Sequence, residues 1–272
     1  MGSGEPLVFI AGLNVLEDVG LALETASVLK SVAHNLGLPL VFKASFDKAN
    51  RSSMSSYRGP GLVEGLRILA EVKRALGLPI ATDVHEISQV GPVSEIADVV
   101  QIPAFLCQDV SLLRAAAVAV NRSGGWMHIK KAQFASPQDC AEVLAVVKEA
   151  VGADIAIFCE RGTCLGYNNL VVDLLNIPLL QGMGVPVTMD ATHAVQLPGA
   201  DPRTKGASTG GRRDGVPVLA KAAVAVGVDG VFLEFHPNPD KAKCDGPSCL
   251  PLDCAASLFS TLKALRAAAT AD

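Results

Sequence analysis

Eight short, nearly continuous apolar runs, separated by stretches of helical periodicity, constrain this chain more than any other feature. The runs are Leu7–Ala11, Pro39–Ala44, Pro79–Asp83, Val99–Pro103, Met127–Lys131, Asp154–Glu160, Val185–Asp190 and Gly230–Glu234. A strand that is apolar at successive positions has both faces covered, which is the habit of parallel sheets. Between the runs, Leu62, Leu66, Leu69, Val72 and Leu76 recur at steps of three or four and predict an amphipathic helix. Ser136-Pro137 reads as an N-cap and first helical residue ahead of Cys140–Val151. Gly-Leu-Pro at 37–39 and 77–79 marks helix ends turning into strands. Eight β/α units in 272 residues predict a (β/α)8 barrel, an α/β fold with residues 1–272 as a single domain. A doubly wound open sheet is the alternative, but no Gly-x-Gly-x-x-Gly follows the first run.

Composition narrows the partners. Half of the residues are hydrophobic and the formal net charge is −4, so no bulk basic field points to nucleic acid or an anionic membrane. No apolar run has the length needed to span a bilayer. The start, Met1-Gly2-Ser3-Gly4-Glu5-Pro6, lacks a charged-then-apolar signal pattern. The seven cysteines are odd in number and irregular in spacing, which predicts reduced thiols and a cytoplasmic protein.

Any anion site must therefore be local, and one segment suggests it. Lys43, Lys48, Arg51 and Arg58 stand among the hydroxyls of Ser45, Ser52, Ser53 and Tyr57, just past Leu40-Val41-Phe42. Cations and hydroxyls at the exit of a buried strand suit a phosphorylated acid. The other strand exits repeat the pattern, with Asn14 and Glu17, Asp83, His85 and Glu86, Gln101, Lys130, Lys131 and Gln133, Glu160 and Arg161, Asp190 and His193, and Glu234 and His236. Barrel enzymes keep their chemistry at these strand ends. His34 on a helix and His128 within a strand read as structural. Long connections are expected at 45–61, 191–213 and 235–251, with 196–211 read as a flexible lid.

The ordered series Asn14-Val15-Leu16-Glu17, Lys43–Ser53, Tyr57-Arg58-Gly59-Pro60-Gly61, Thr82-Asp83-Val84-His85-Glu86 and Gln101–Leu106 resembles the 3-deoxy-D-manno-octulosonate 8-phosphate synthase family. Lys130-Lys131-x-Gln133-Phe134, Glu160-Arg161-Gly162, Asp190-x-Thr192-His193 and Cys244-Asp245-Gly246-Pro247-Ser248 extend the likeness over nearly the whole chain. The resemblance implies a transferase that condenses phosphoenolpyruvate with arabinose 5-phosphate and releases phosphate. It implies that Lys43, Lys48, Gln101, Lys130, Gln133 and Arg161 hold phosphoenolpyruvate, and that Asn50, Arg51 and Ser52 face arabinose 5-phosphate. Asn14, Lys48, Asp83, His85, His193, Glu234 and Asp245 would surround the reacting carbons as the catalytic group.

Metal-dependent members of that family carry a cysteine where this chain has Asn14, and His193, Glu234 and Asp245 match their other ligands. An amide is a poor ligand for a borderline-soft divalent ion, so no metal and no other cofactor are expected. A homotetramer is implied, with sugar-phosphate sites completed across an interface, and the product would feed lipopolysaccharide in bacteria or a pectic polysaccharide in plants. Two departures stand out. Cys107-Gln108-Asp109-Val110-Ser111 lacks the arginine usual at the position of Gln108, and Thr209 replaces the usual serine before Gly210-Gly211. The alternatives are the sibling synthase that uses erythrose 4-phosphate, and a non-catalytic barrel that binds sugar phosphates.

Overall fold

A computed structural model of the chain describes residues 1–2, 4–49, 56–199 and 209–270. Among them, eight parallel strands close into a barrel ringed by helices. The strands are β1 Val8–Val15, β2 Leu40–Ser45, β3 Ile80–Asp83, β4 Val99–Ile102, β5 Trp126–Lys130, β6 Ala156–Glu160, β7 Val187–Asp190 and β8 Gly230–His236. Each pairs with its sequence neighbour, and β1 pairs with β8 from Val8 opposite Gly230 to Gly12 opposite Glu234. The helices are α1 Val19–Leu36, α2 Leu62–Leu76, α3 Ile87–Ile96, α4 Val110–Ser123, α5 Pro137–Val151, α6 Asn176–Gln181, α7 Val216–Val226 and α8 Ala255–Ala269. The expected (β/α)8 barrel is the observed fold.

Local signals explain most of these boundaries. Asp18 and Asp109 cap α1 and α4 by accepting from Leu21 N and Leu112 N at 2.9 and 3.0 Å. Ser136 and Asp139 form a reciprocal capping box at the start of α5, with Pro137 as its first residue. Gly37 and Gly77 end α1 and α2 in the left-handed conformation, at φ 64° and 63°. The stripe in α2 buries Leu69 and Val72 completely, worth roughly 1.5–3 kcal/mol each. Strands β2, β3 and β7 begin just after Pro39, Pro79 and Pro186, whose nitrogens cannot join a ladder but whose carbonyls accept from Phe9, Phe42 and Phe158.

Two features differ from the sequence reading. Strand β1 runs on to Val15 rather than ending at Ala11, with a register shift between Gly12 and Val15 against β2. Asn14, two residues past Gly12 and on the same face, thus falls inside the strand. The connection after β6 contains a hairpin, Thr163–Gly166 with Asn169–Val171, turned by Tyr167 and Asn168 at φ 54° and 49°. It follows no hydrophobic run, so periodicity gives no sign of it. Of the expected lid, the base is described as Gln196–Leu197 paired antiparallel with Gly210–Gly211, and residues 200–208 lie outside the described part. All seven cysteines are free thiols. Among the described residues no helix is long and apolar enough to cross a membrane.

The inside of the barrel is layered. Ile10, Val41, Ala81, Val99, Cys159 and Phe232 form a small apolar cluster, separate from the large core between strands and helices. Successive inward side chains on a strand lie two residues apart. The next inward positions are therefore Gly12, Lys43, Asp83, Gln101, Arg161 and Glu234, so the barrel changes from apolar to polar within one pleat.

Candidate active site

The polar layer opens into a cavity of about 480 Å³ at the C-terminal ends of the strands. Lys43, Lys48, Asp83, His85, Gln101, Lys130, Gln133, Arg161, His193 and Asp245 all line it, as do Asp190, Gln196 and Thr209. A cavity of about 830 Å³ lies at the opposite end, lined by Trp126, Gly227 and Arg266. Its size does not make it the better site, because the Arg266 guanidinium donates to the carbonyls of Glu5, Gly227 and Val228 and so serves the backbone.

One glycine sets up the centre. Gly12 stands in register with Lys43 on one side and Glu234 on the other. With no side chain between them, Lys43 Nζ reaches across to Glu234 Oε1 at 2.9 Å and donates to Asn14 O at 3.2 Å. A Cβ on Gly12 would lie 2.0 Å from the Lys43 carbonyl oxygen. Lys43 and Glu234 are essentially unexposed, at 1% and 0%. Burial pushes the Lys43 ammonium down, opposed by Glu234. Burial also disfavours the Glu234 carboxylate, but His193, Lys43 and Lys48 outweigh it and hold its pKa at about 2.

Asn14 joins that pair to two further residues. Its Nδ2 donates to Glu234 Oε2 at 2.5 Å and to Asp245 Oδ2 at 3.2 Å, and lies 3.5 Å from His193 Nε2. Asp245, in the loop after β8, holds a left-handed backbone at φ 48°, a conformation a non-glycine residue seldom adopts. His193 Nδ1 donates to Asp190 Oδ2 at 2.8 Å, which leaves Nε2 toward Asn14, Glu234 and Asp245. Asp190 also accepts from Lys130 Nζ at 2.6 Å. Burial opposes ionisation of Asp190, yet His193 and Lys130 take its pKa well below the carboxylate range.

The remaining cations complete a ring. Lys130 Nζ sits 3.2 Å from the Phe232 ring centroid, on the face of a side chain in the apolar layer below. Arg161 follows β6, is 5% exposed, and donates through Nη2 to Gln196 Oε1 at 3.2 Å. Its Nη1 is buried with no hydrogen-bond partner among the described residues. Burial pushes the Arg161 pKa down, opposed by Asp190. Lys48 Nζ donates to Ser45 Oγ at 2.9 Å, and Asp83 and Glu234 raise its pKa against the effect of burial. Asp83 Oδ2 meets His85 Nε2 at 3.1 Å. Burial works against both charges, but their mutual attraction lowers Asp83 and raises His85. Lys43 and Lys130 are each paired with a carboxylate, whereas Arg161 has no side-chain carboxylate partner among the described residues and suits an anionic ligand.

The predicted residues thus converge, with qualifications. Gln101 and Gln133 line the cavity, and Gln133 is half-buried beside it. Asn50, Arg51 and Ser52 lie outside the described residues. Gln108 is exposed on the turn before α4. Sequence reasoning left Asp190 at the rim without a role, and missed Phe232, an ordinary apolar strand residue whose partners appear only on barrel closure. His128 is fully buried, as expected, but it touches Gln101 Oε1 at 3.2 Å.

The comparison with known proteins bears directly on this geometry. The model of the DAHP synthetase I family matches residues 1–270. The chain belongs to that family. Curated relatives within reach of it include a protein of Desulfotalea psychrophila, 48% identical over 98% of this chain and 92% of its own length. Another, from Geobacter metallireducens, is 50% identical over 98% of this chain and 95% of its own. A third, from Nitratidesulfovibrio vulgaris, is 52% identical over 94% and 90%. All three relatives are named 2-dehydro-3-deoxyphosphooctonate aldolase.

Proposed function

We propose that this protein is a 3-deoxy-8-phosphooctulonate synthase. It joins phosphoenolpyruvate, D-arabinose 5-phosphate and water into 3-deoxy-D-manno-octulosonate 8-phosphate, and releases phosphate. The observation that carries this reading is the buried Arg161, whose Nη1 has no partner among the described residues, in one cavity with Lys43, Lys48 and Lys130. The relatives' shared name gives the substrate class.

Lys130, Arg161 and Lys43 hold the phosphate and carboxylate of phosphoenolpyruvate, with Gln101 and Gln133 beside them. Asn50, Arg51 and Ser52 take arabinose 5-phosphate. Carbon 3 of the enol attacks the aldehyde, whose oxygen is polarised by Lys48 near Asp83 and His85. Carbon 2 is left electron-poor and takes up water. His193 Nε2 accepts the proton of that water, and Asp190 at Nδ1 stabilises the imidazolium. The tetrahedral centre collapses to the ketone as the carbon–oxygen bond to phosphate breaks, and the two water protons end on the departing phosphate and on the former aldehyde oxygen. Two anions fixed face to face in a partly dry cavity supply the entropic share of the rate.

The reaction runs without a metal in this reading. The donor set at Asn14 supports it, because the amide NH2 already directs its protons at Glu234 and Asp245, the carboxylates a cation would need. The chain works as a single barrel domain in the cytoplasm and assembles as a homotetramer. Phosphate release with arabinose 5-phosphate and with erythrose 4-phosphate, each with and without a strong chelator, tests the proposal. Turnover of arabinose 5-phosphate unaffected by chelation is expected. Preference for erythrose 4-phosphate would assign the sibling reaction, no release would leave a binding protein, and loss of activity restored by manganese would overturn metal independence. The mass in solution checks the tetramer.

A further inference from the structure

A buried polar chain crosses the barrel interior at the level of Gln101. His128 of β5 stands in register with Gln101 of β4. Its Nδ1 lies 3.2 Å from Gln101 Oε1, and its Nε2 lies 2.8 Å from Thr188 Oγ1 of β7. Phe232 stacks against the ring, with centroids 5.9 Å apart and planes 15° from parallel. Burial, with Lys130 nearby, drives the pKa of His128 well below that of a free imidazole. The ring is therefore neutral and carries one proton on one nitrogen.

One placement of that proton serves the contact with Gln101. An amide oxygen cannot donate, so the contact with Gln101 needs the proton on Nδ1. The bare Nε2 then takes the Thr188 hydroxyl proton. That hydroxyl has a second acceptor, the Phe158 carbonyl, but at 3.2 Å it is farther than the ring. With the proton on Nε2, the Nδ1 lone pair would oppose the Gln101 oxygen, and the amide would turn over. Its orientation matters because Gln101 lines the cation cavity, and no residue described accepts from its Nε2. An NH2 aimed into the cavity adds donors for an anion, whereas an oxygen there repels one.

We propose that His128 is a positioning residue for the anionic substrate: its Nδ1–H holds the Gln101 carbonyl, so that the Gln101 NH2 faces the cavity, and Thr188 meets the ring at Nε2. The proposal rests on the assignment of phosphoenolpyruvate to the cavity. Steady-state kinetics of His128→Leu, His128→Asn, Gln101→Leu and the Gln101→Leu/His128→Leu double variant test it. His128→Leu should raise the KM for phosphoenolpyruvate about tenfold, the usual weight of one such hydrogen bond to a charged ligand, with a smaller change in kcat. His128→Asn keeps a side-chain donor near the position of Nδ1 and should restore most of the affinity. In the Gln101→Leu background, adding His128→Leu should raise the KM no further, because it acts through Gln101. An unchanged KM in Gln101→Leu would remove the assignment of phosphoenolpyruvate to Gln101. A raised KM there with an unchanged KM in His128→Leu, or additive effects in the double variant, would overturn the relay alone. Should His128→Leu fail to fold, the nitrogen NMR spectrum of histidine-labelled wild-type protein decides: a proton on Nδ1 supports the relay, and one on Nε2 refutes it.

Discussion

Arg161 concentrates the chemistry at the scale of single residues. A guanidinium that is 5% exposed has lost most of its water, and among the described residues its side-chain hydrogen bond goes to a neutral amide. Burying it without a close carboxylate is unfavourable unless an anion completes the set. Arg161→Ala should therefore lower kcat/KM about a hundredfold, equivalent to roughly 3 kcal/mol of lost transition-state binding. Arg161→Lys should recover only part, because an ammonium cannot grip two oxygens in a planar fork. Kinetics near those of the wild type in Arg161→Ala would show that the guanidinium does not meet the substrate. Asn14 illustrates the opposite economy of charge: it is neutral, yet its NH2 stands between Glu234 and Asp245 and eases the repulsion of two nearby carboxylates.

At the scale of elements, β1 organises the site by what it omits. Gly12 lies between Lys43 and Glu234 in the ladder, and the two meet above it. Adding one methyl there drives a Cβ into the Lys43 backbone, at 2.0 Å from its oxygen, and backbone cannot swing aside as a long side chain would. Gly12→Ala should destabilise the barrel by about 2–4 kcal/mol in urea unfolding. An unfolding midpoint equal to that of the wild type would mean that β1 and β2 separate without penalty. Strand β8 contributes two levels at once. Phe232 supplies the surface on which Lys130 and His128 rest, and Glu234 supplies the charge one pleat above.

For the whole molecule, the buried charges tie stability to pH. The pKa of Glu234 is about 2, below its usual 4.5. A depressed carboxylate stabilises the fold fully above the unfolded value, and the contribution fades as pH falls from there through the folded value. The shift amounts to about 3 kcal/mol, most of it lost by about pH 3. Asp190 and Asp83 are depressed in the same sense and steepen the loss. Urea unfolding of the wild type and Glu234→Gln, followed from neutral pH downward, should show the gap between them closing over that window. Parallel curves would show that Glu234 has an ordinary pKa in the fold.

The sequence by itself determined the barrel, because eight two-sided apolar runs and their intervening helices leave few other ways to bury so much surface. It also pointed to the rim where the candidate site gathers, since strand ends in such a barrel share one rim and Lys43, Asp83, Lys130, Arg161 and Glu234 stand at them. Capping at Ser136, and the glycines at 37 and 77, were legible for a local reason: their partners lie within a few residues. What only the tertiary structure decided involves contacts across the barrel. The meeting of Lys43 with Glu234 over Gly12 spans 191 residues of chain, and that of Asn14 with Glu234 spans 220. The extension of β1 past Ala11 to Val15, which takes in Asn14, is seen only in the folded strand. The link from Gln101 through His128 to Thr188 arises because closure brings three inward side chains to one level. Periodicity reports which face of a strand is inside, but only register and closure fix which inward residues touch.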